Sequence, residues 1–472
     1  MPASKGRLIA VSNRVGPVKG AAKAGGLAVA LVEALSETKG LWFGWSGKIA
    51  ESPGALVRER GGGLNVATTD LTPSEHEDYY SGFANRCLWP LFHYRIDLTA
   101  YDRKFYDGYL RVNARFAQAL YPLLQPDDLI WVHDYHLIPF GELLREMGVT
   151  QRMGFFLHIP FPSREVLVTL PHYENLLRSM LSYDVIGFQT ERDVERFVDT
   201  VINEIPESRW VSDRLHAFGR TSRVAAFPIG IDAREYAQLV WSEDGQRQWQ
   251  RARNSLRGRE QIIGVDRLDY TKGLPERFNG FERLLLDYPD VHGRVEFLQI
   301  APLSRESVPE YAELRSKLEH VASRINSHFS EVDWTPLRYI NRTVSRRGLA
   351  GLYRASKIGL VTPLRDGMNL VAKEYVAAQD PDDPGVLVLS RFAGSAKQMP
   401  AALIVNPYDA VAIAEALQTA RYMPLAERVE RHRELMRGLL EEDLGHWRRS
   451  FVDALRYSRL SAAKTAVAEA ST

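Results

Sequence analysis

The stretch Val361 to Glu374, VTPLRDGMNLVAKE, carries two carboxylates in a setting that suits a polyhydroxy ligand. Asp366 stands on a polar turn after the apolar run Ile358 to Thr362, and Glu374 stands further on, inside a helix-forming run from about Asn369 to Ala378. Both carboxylates could face one crevice, and neither is cheap to bury unless hydrogen-bonded; sugar and ribose hydroxyls are suitable donors. Gly367 lets backbone come close to such a ligand, and the free N–H groups at the start of the helix favour an anion. A helix cap at Asp366 with a solvated Glu374 is the competing reading of the same residues.

Positive charge stands on a second loop of this kind. In DRLDYTKG, Arg267 and Lys272 flank the passage from the strand Gln261 to Val265 into a helix. They could clamp two phosphates, arginine as a planar fork and lysine as a point charge; surface salt bridges are the alternative. Gly25-Gly26 opens the expected helix Leu27 to Leu35, where a phosphate or sugar could touch backbone N–H groups, although a tight turn explains the pair equally well. Neither G-x-G-x-x-G nor G-x-x-x-x-G-K-[ST] occurs, so the dinucleotide and P-loop fingerprints are missing. The apolar strands Leu129 to Val132 and Gly154 to Leu157 run into His133, His136 and His158. Metal ligation by the three is weakened by the Asp-Tyr insertion and the want of further ligands, which favours neutral histidines making hydrogen bonds. Tyr79, Tyr80 and Trp89 could stack on a sugar face or pack inward from a helix.

Such residues need strand ends to hold them. Strand-like and helix-like segments alternate nearly end to end, which predicts an α/β protein with parallel sheets covered on both faces. The stretch Ile231 to Glu260 turns polar and helical, and the domain boundary is expected there. The expected domains are 1–235 and 236–460, the last helix being free to cross back to the first, with 461–472 as a flexible tail. Two Rossmann-like, doubly wound halves facing a central crevice would gather the candidate residues at strand ends. GLWFGWSG from Gly40 reads as a strand with a bulge or close backbone approach.

The bulk properties narrow the partners. A chain of 472 residues, 45% hydrophobic, is long enough for two domains with sizeable cores. Its 60 Lys and Arg against 59 Asp and Glu give a net charge of +1, which provides no argument for a nucleic-acid or anionic-membrane partner; neither is expected, and phosphate binding becomes a local matter. The single cysteine, Cys87, excludes an internal disulfide framework and a multi-cysteine metal site, and reads as a small buried apolar side chain. No apolar run approaches the roughly 20 residues that span a bilayer, and MPASKGRLIAVSNR lacks a signal-peptide core, so a cytoplasmic location is expected. The composition is compatible with a homo-oligomer.

Over roughly residues 7 to 457 the sequence resembles the trehalose-6-phosphate synthases, retaining glycosyltransferases of family 20 with the two-Rossmann GT-B fold. The resemblance is carried by VSNR at Val11, AGGLAVAL at Ala24, GLWFGWSG at Gly40, LWPLFHYR at Leu88, WVHDYHL at Trp131 and FFLHIPFPS at Phe155. It continues with GFQT at Gly187, FPIGID at Phe227, DRLDYTKGLPERF at Asp266, QIAPLSR at Gln299 and TPLRDGMNLVAKEYVAAQ at Thr362. One stretch departs: Gly394 to Met399 reads GSAKQM, where the family more often has an acidic residue and leucine near the end.

The resemblance implies residue roles. Arg14, Tyr80, Trp89, Asp134 and Arg305 match acceptor positions that hold glucose 6-phosphate. Gly25, Gly26, His158, Arg267, Lys272, Asp366, Gly367, Met368, Asn369, Leu370 and Glu374 match the UDP-glucose site, with Arg267, Lys272, His158 and Asp366 nearest the chemistry. The implied reaction moves glucose from UDP-glucose to C1 of glucose 6-phosphate with retention, without cofactor or metal. A cyclitol-coupling pseudo-glycosyltransferase and a non-catalytic sugar-phosphate sensor are the alternatives, and the sequence leaves uridine, guanine or adenine open as the donor's base.

Overall fold

The computed structural model describes residues 6–16, 31–32, 35–61, 64–304 and 309–469. The chain divides into two compact units, Met1–Pro228 with Trp447–Thr472, and Ile229–His446. Among the described residues each unit is built on one sheet.

The first sheet contains β1 Leu8–Arg14, β2 Leu41–Ile49, β3 Val57–Gly61, β4 Leu64–Leu71, β5 Leu129–His133, β6 Arg152–Phe156, β7 Val185–Phe188, β8 Arg209–Val211, β9 Arg214–Ala217 and β10 Arg220–Ala226. Their order is β3-β4-β2-β1-β5-β6-β7-β10-β9-β8. The interior pairs are parallel, β1 lying between β2 and β5, so the strand order reverses beside β1. Parallel strands covered on both faces read as continuous apolar runs, and LIAV in β1 and LIWV in β5 are buried throughout. The two edges are antiparallel, β3 on β4 and β8 on β9 on β10. Sequence patterning did not suggest these hairpins, because Val57-Arg58-Glu59-Arg60 reads as solvated chain; charge on an edge strand also discourages pairing with other molecules. Of the bulge or close backbone approach expected in GLWFGWSG, the pairing of β2 with β4 shows a register shift between Trp45 and Ile49.

The helix Leu444–Glu469 joins the first unit from Trp447 onward. Trp131 of β5 stacks on Phe451 at 4.6 Å and meets Trp447 at 4.9 Å. Gly154 in β6 and Gly187 in β7 leave room for the Phe451 ring, since an added Cβ would lie 2.7 Å and 2.8 Å from it. Residues 461–469, read above as tail, continue this helix; alanine, frequent there, is the strongest helix former.

The second sheet contains β11 Glu260–Val265, β12 Val295–Ile300, β13 Leu337–Ile340, β14 Ile358–Val361, β15 Val386–Ser390 and β16 Leu403–Val405. It is wholly parallel in the order β13-β12-β11-β14-β15-β16. That is the doubly wound Rossmann order, with its reversal between β11 and β14. The division falls between Pro228 and Ile229, ahead of the expected 235/236, because Ile231, Ala233 and Tyr236 already pack into the core of the second unit. No helix among the described residues is long and apolar enough to cross a membrane.

Candidate active site

Ligands of open α/β sheets bind outside the carboxyl ends of the strands where the order reverses. In the first unit that place is held by the ends of β1 and β5. β1 ends in Asn13 and Arg14, and Asn13 Oδ1 accepts from the Tyr79 hydroxyl at 2.8 Å. The exposed Arg14 guanidinium lies against Gly47, whose φ of +87° and missing side chain make room; a Cβ would sit 2.5 Å from Arg14 Nε. The Trp45 ring centroid is 5.8 Å from Arg14 Cζ, within cation–π range.

Tyr80 lies beside this group, on a π-helical stretch His76–Leu88, a rare winding often met at functional sites. Its ring stacks on His136 at 5.9 Å and lies 5.6 Å from Trp45 and 5.2 Å from His76. Half-buried Tyr80 thus keeps part of its face open, whereas Trp89 is 5% exposed and packs on His93 and Tyr135. Asp134, after β5, has φ 76° and ψ 164°, a conformation nearly confined to glycine that costs about 1–3 kcal/mol. Its Oδ1 accepts from the backbone N–H of His158 at 3.2 Å, fixing the two strand ends together.

His133 Nδ1 and His158 Nε2 face each other at 3.1 Å, so one donates and the other accepts. Burial holds His158 down to about 3, and burial together with its neighbour holds His133 well below the usual histidine range. Both rings are therefore neutral near pH 7, and their mutual hydrogen bond engages one nitrogen of each. Among the described residues no three His, Cys, Asp or Glu side chains stand close enough to hold a metal ion.

In the second unit the loops after β11 and β14 carry the candidates. Asp269 Oδ1 accepts from Thr271 N and Oγ1, closing the turn Tyr270–Lys272. Gly273, at φ +63°, then starts the helix Leu274–Asp287. The turn points the largely buried Lys272 at the β14 loop, where Nζ lies 2.5 Å from Asp366 Oδ2. Asn369 Nδ2 donates to the same oxygen at 3.0 Å, while its Oδ1 accepts from Ala372 N at 3.2 Å and caps the helix Leu370–Ala378. Asp366 is thus not the helix cap; its carboxylate is held for the loop. Arg267 is exposed on the neighbouring loop.

Beneath this cluster lies a group that reading the sequence missed. Arg277 is fully buried and binds Asp266 Oδ2 at 2.7 Å, Gln299 Oε1 at 2.9 Å, Thr362 Oγ1 at 3.0 Å and Lys272 O at 3.4 Å. One guanidinium therefore ties the ends of β11, β12 and β14 to the loop of Lys272. Burial raises the Asp266 carboxyl, opposed by Arg277 and Lys272. The signal in the sequence was an arginine between Leu274, Phe278 and Phe281 on the apolar face of its helix.

The family model for glycosyltransferase family 20 matches residues 10–457. The chain belongs to glycosyltransferase family 20. A trehalose-6-phosphate synthase of Sinorhizobium fredii is 52% identical over 458 residues, covering 96% of this chain and 98% of that protein. The crystal structure of a UDP-forming α,α-trehalose-phosphate synthase from Burkholderia xenovorans in complex with glucose-6-phosphate is 50% identical with a TM-score of 0.91, covering 95% of this chain and 100% of that one. A structure from E. coli bound with UDP-2-fluoro glucose is 47% identical with a TM-score of 0.92, covering 95% and 98%.

In this family 20 member Glu374 is half-buried rather than solvated. Burial pushes its carboxyl up to about 7, opposed by Arg346 and a hydrogen bond with Tyr236. Arg346 in turn lies over the Tyr236 ring at 4.9 Å and contacts Glu235 at 3.3 Å. Gly367 and Met368 are buried in the loop and Leu370 opens the helix. His158, grouped above with the donor residues, belongs to the first unit, beside Asp134. Gly25, Gly26 and Arg305 lie outside the described residues.

Proposed function

We propose that this family 20 glycosyltransferase moves glucose from UDP-glucose to the C1 hydroxyl of glucose 6-phosphate, with retention, giving trehalose 6-phosphate and UDP. The observation that carries the reading is the Lys272–Asp366 pair, a cation for a departing diphosphate fixed beside a carboxylate for hexose hydroxyls. The ligands named for the Burkholderia and E. coli relatives support the same pair of substrates.

Arg267 and Lys272 bind the diphosphate, Glu374 takes the ribose hydroxyls, and Asp366 with the backbone of Gly367, Met368, Asn369 and Leu370 takes the glucose. His158, with Gly25 and Gly26, completes the donor site. Arg14 and Arg305 hold the acceptor phosphate; Tyr80, Trp89 and Asp134 hold its sugar. The bond from the donor's C1 to the β-phosphate oxygen breaks on the same face on which the acceptor oxygen attacks. The acceptor's proton passes to that phosphate oxygen, so UDP leaves with the proton and no enzyme nucleophile is needed. Catalysis is then electrostatic: Arg267 and Lys272 stabilise the charge growing on UDP, and two bound sugars are held in line. Both substrates are multiply charged and cross bilayers poorly, which supports a cytoplasmic enzyme.

The test is nucleotide release with UDP-glucose, with and without glucose 6-phosphate, and identification of the sugar product. Acceptor-dependent UDP release with a non-reducing disaccharide phosphate is expected. Silence with UDP-, GDP- and ADP-glucose would overturn the proposal.

A further inference from the structure

The stretch that departs from the family pattern folds against the donor loop. Residues Gly394–Gln398 form a 3-10 turn whose backbone donates into that loop, Gly394 N to Asp366 O at 3.2 Å and Ser395 N to Met368 O at 2.9 Å. Gly394 rests on the Gly367 carbonyl, where any Cβ would collide. At its far end the turn presents Gln398 to Lys373, the neighbour of Glu374 on the helix Leu370–Ala378.

Lys373 is 1% exposed. Its ammonium donates to Ile229 O and to Gln398 Oε1, both at 2.8 Å. The Gln398 amide nitrogen donates to a Glu442 carboxylate oxygen. An ammonium only donates and a carboxylate only accepts, so the two partners fix which way the amide points. Cation, amide and carboxylate form a line with zero net charge. A buried ammonium without an anion is costly, and Glu442 supplies the balance through the amide.

We propose that Gln398 is a positioning residue of the donor site, a neutral relay through which Lys373 and Glu442 hold the donor helix and, by the same turn, the donor loop. The inference rests on the assignment of Asp366 to Glu374 to UDP-glucose. Burial lowers Lys373 to about 8, opposed by Glu442, in keeping with a charge that depends on its distant partner. A glutamate at 398 would set two carboxylates against one ammonium; glutamine keeps one of each.

The experiment is a cycle of near-isosteric exchanges: Gln398→Glu, Glu442→Gln, and both together, which keeps a cation, an amide and a carboxylate in swapped order. Wild-type UDP release decides the proposed reaction first, and UDP affinity by calorimetry, which needs no turnover, reads the relay separately. Each single exchange is expected to weaken UDP binding and raise the KM for UDP-glucose by about tenfold, with kcat within about twofold, the scale of one hydrogen bond to a charged group. The KM for glucose 6-phosphate stays unchanged. The double exchange is expected to recover UDP affinity to within about threefold of wild type, because the pair is coupled. Unchanged singles, or losses that multiply in the double, would overturn the relay. If a single exchange does not fold, Gln398→Met replaces it, with the same expected loss; wild-type UDP affinity in that variant overturns the inference.

Discussion

Lys272 reaches Asp366 across 94 positions of sequence, and the 2.5 Å contact neutralises both groups until a ligand divides them. A diphosphate would take the ammonium and glucose hydroxyls the carboxylate, so Lys272→Ala should slow turnover far more than it unfolds the protein. The expected loss is about 3 kcal/mol of barrier, roughly a hundredfold in kcat, with little change in melting temperature. On the proposed assignment of Glu374 to the donor's ribose, UDP-glucose binding should be sensitive to pH. With its carboxyl near 7, the fraction ionised and ready to accept ribose hydroxyls grows as pH rises through 7. UDP-glucose KM should therefore fall over that interval, and Glu374→Gln should flatten the profile at a higher KM. A steady-state series in pH, with glucose 6-phosphate saturating, measures both.

At the scale of elements, the sites depend on how tightly strand ends are held. Arg277 joins three strand ends of the second sheet, and the carboxylate of Asp134, a residue with a strained backbone, joins β5 to the chain after β6. Behind β5, β6 and β7 the closing helix presses Trp447 and Phe451 against Trp131 and the bare backbone of Gly154 and Gly187. Trp447 also lies 6.1 Å from the His158 ring, so this packing backs the histidine pair. Gly154→Ala should overpack the interface and destabilise the protein by about 1–3 kcal/mol in denaturant titration. Phe451→Leu should relieve part of that loss when combined with it, since the added methyl meets the Phe451 ring.

For the whole molecule, the substrates' negative charge is met locally, because a net charge of +1 provides no long-range attraction. Arg14 belongs to the first unit, while Lys272 and Arg267 belong to the second. Lesions should accordingly separate by unit. Arg14→Ala should raise the KM for glucose 6-phosphate by about tenfold or more, the scale of a lost charge-assisted hydrogen bond, and leave UDP affinity unchanged. Calorimetry with UDP beside acceptor kinetics distinguishes this from a general loss of function.

The α/β class and the standing of the candidate residues at strand ends were legible in the sequence, because apolar runs, turn residues and helix periods are local signals. The edge hairpins were not, since charged, short strands resemble loops. Nor were the partners. Asn369 rather than Asp366 caps its helix, His133 and His158 hydrogen-bond to each other from the ends of two strands, and Arg277 serves three strand ends from inside a core. Sequence determined which side chains were available and on which kind of element each would stand. Only the tertiary structure decided which were brought within hydrogen-bonding distance and which were stripped of water, because both depend on residues far apart in the chain.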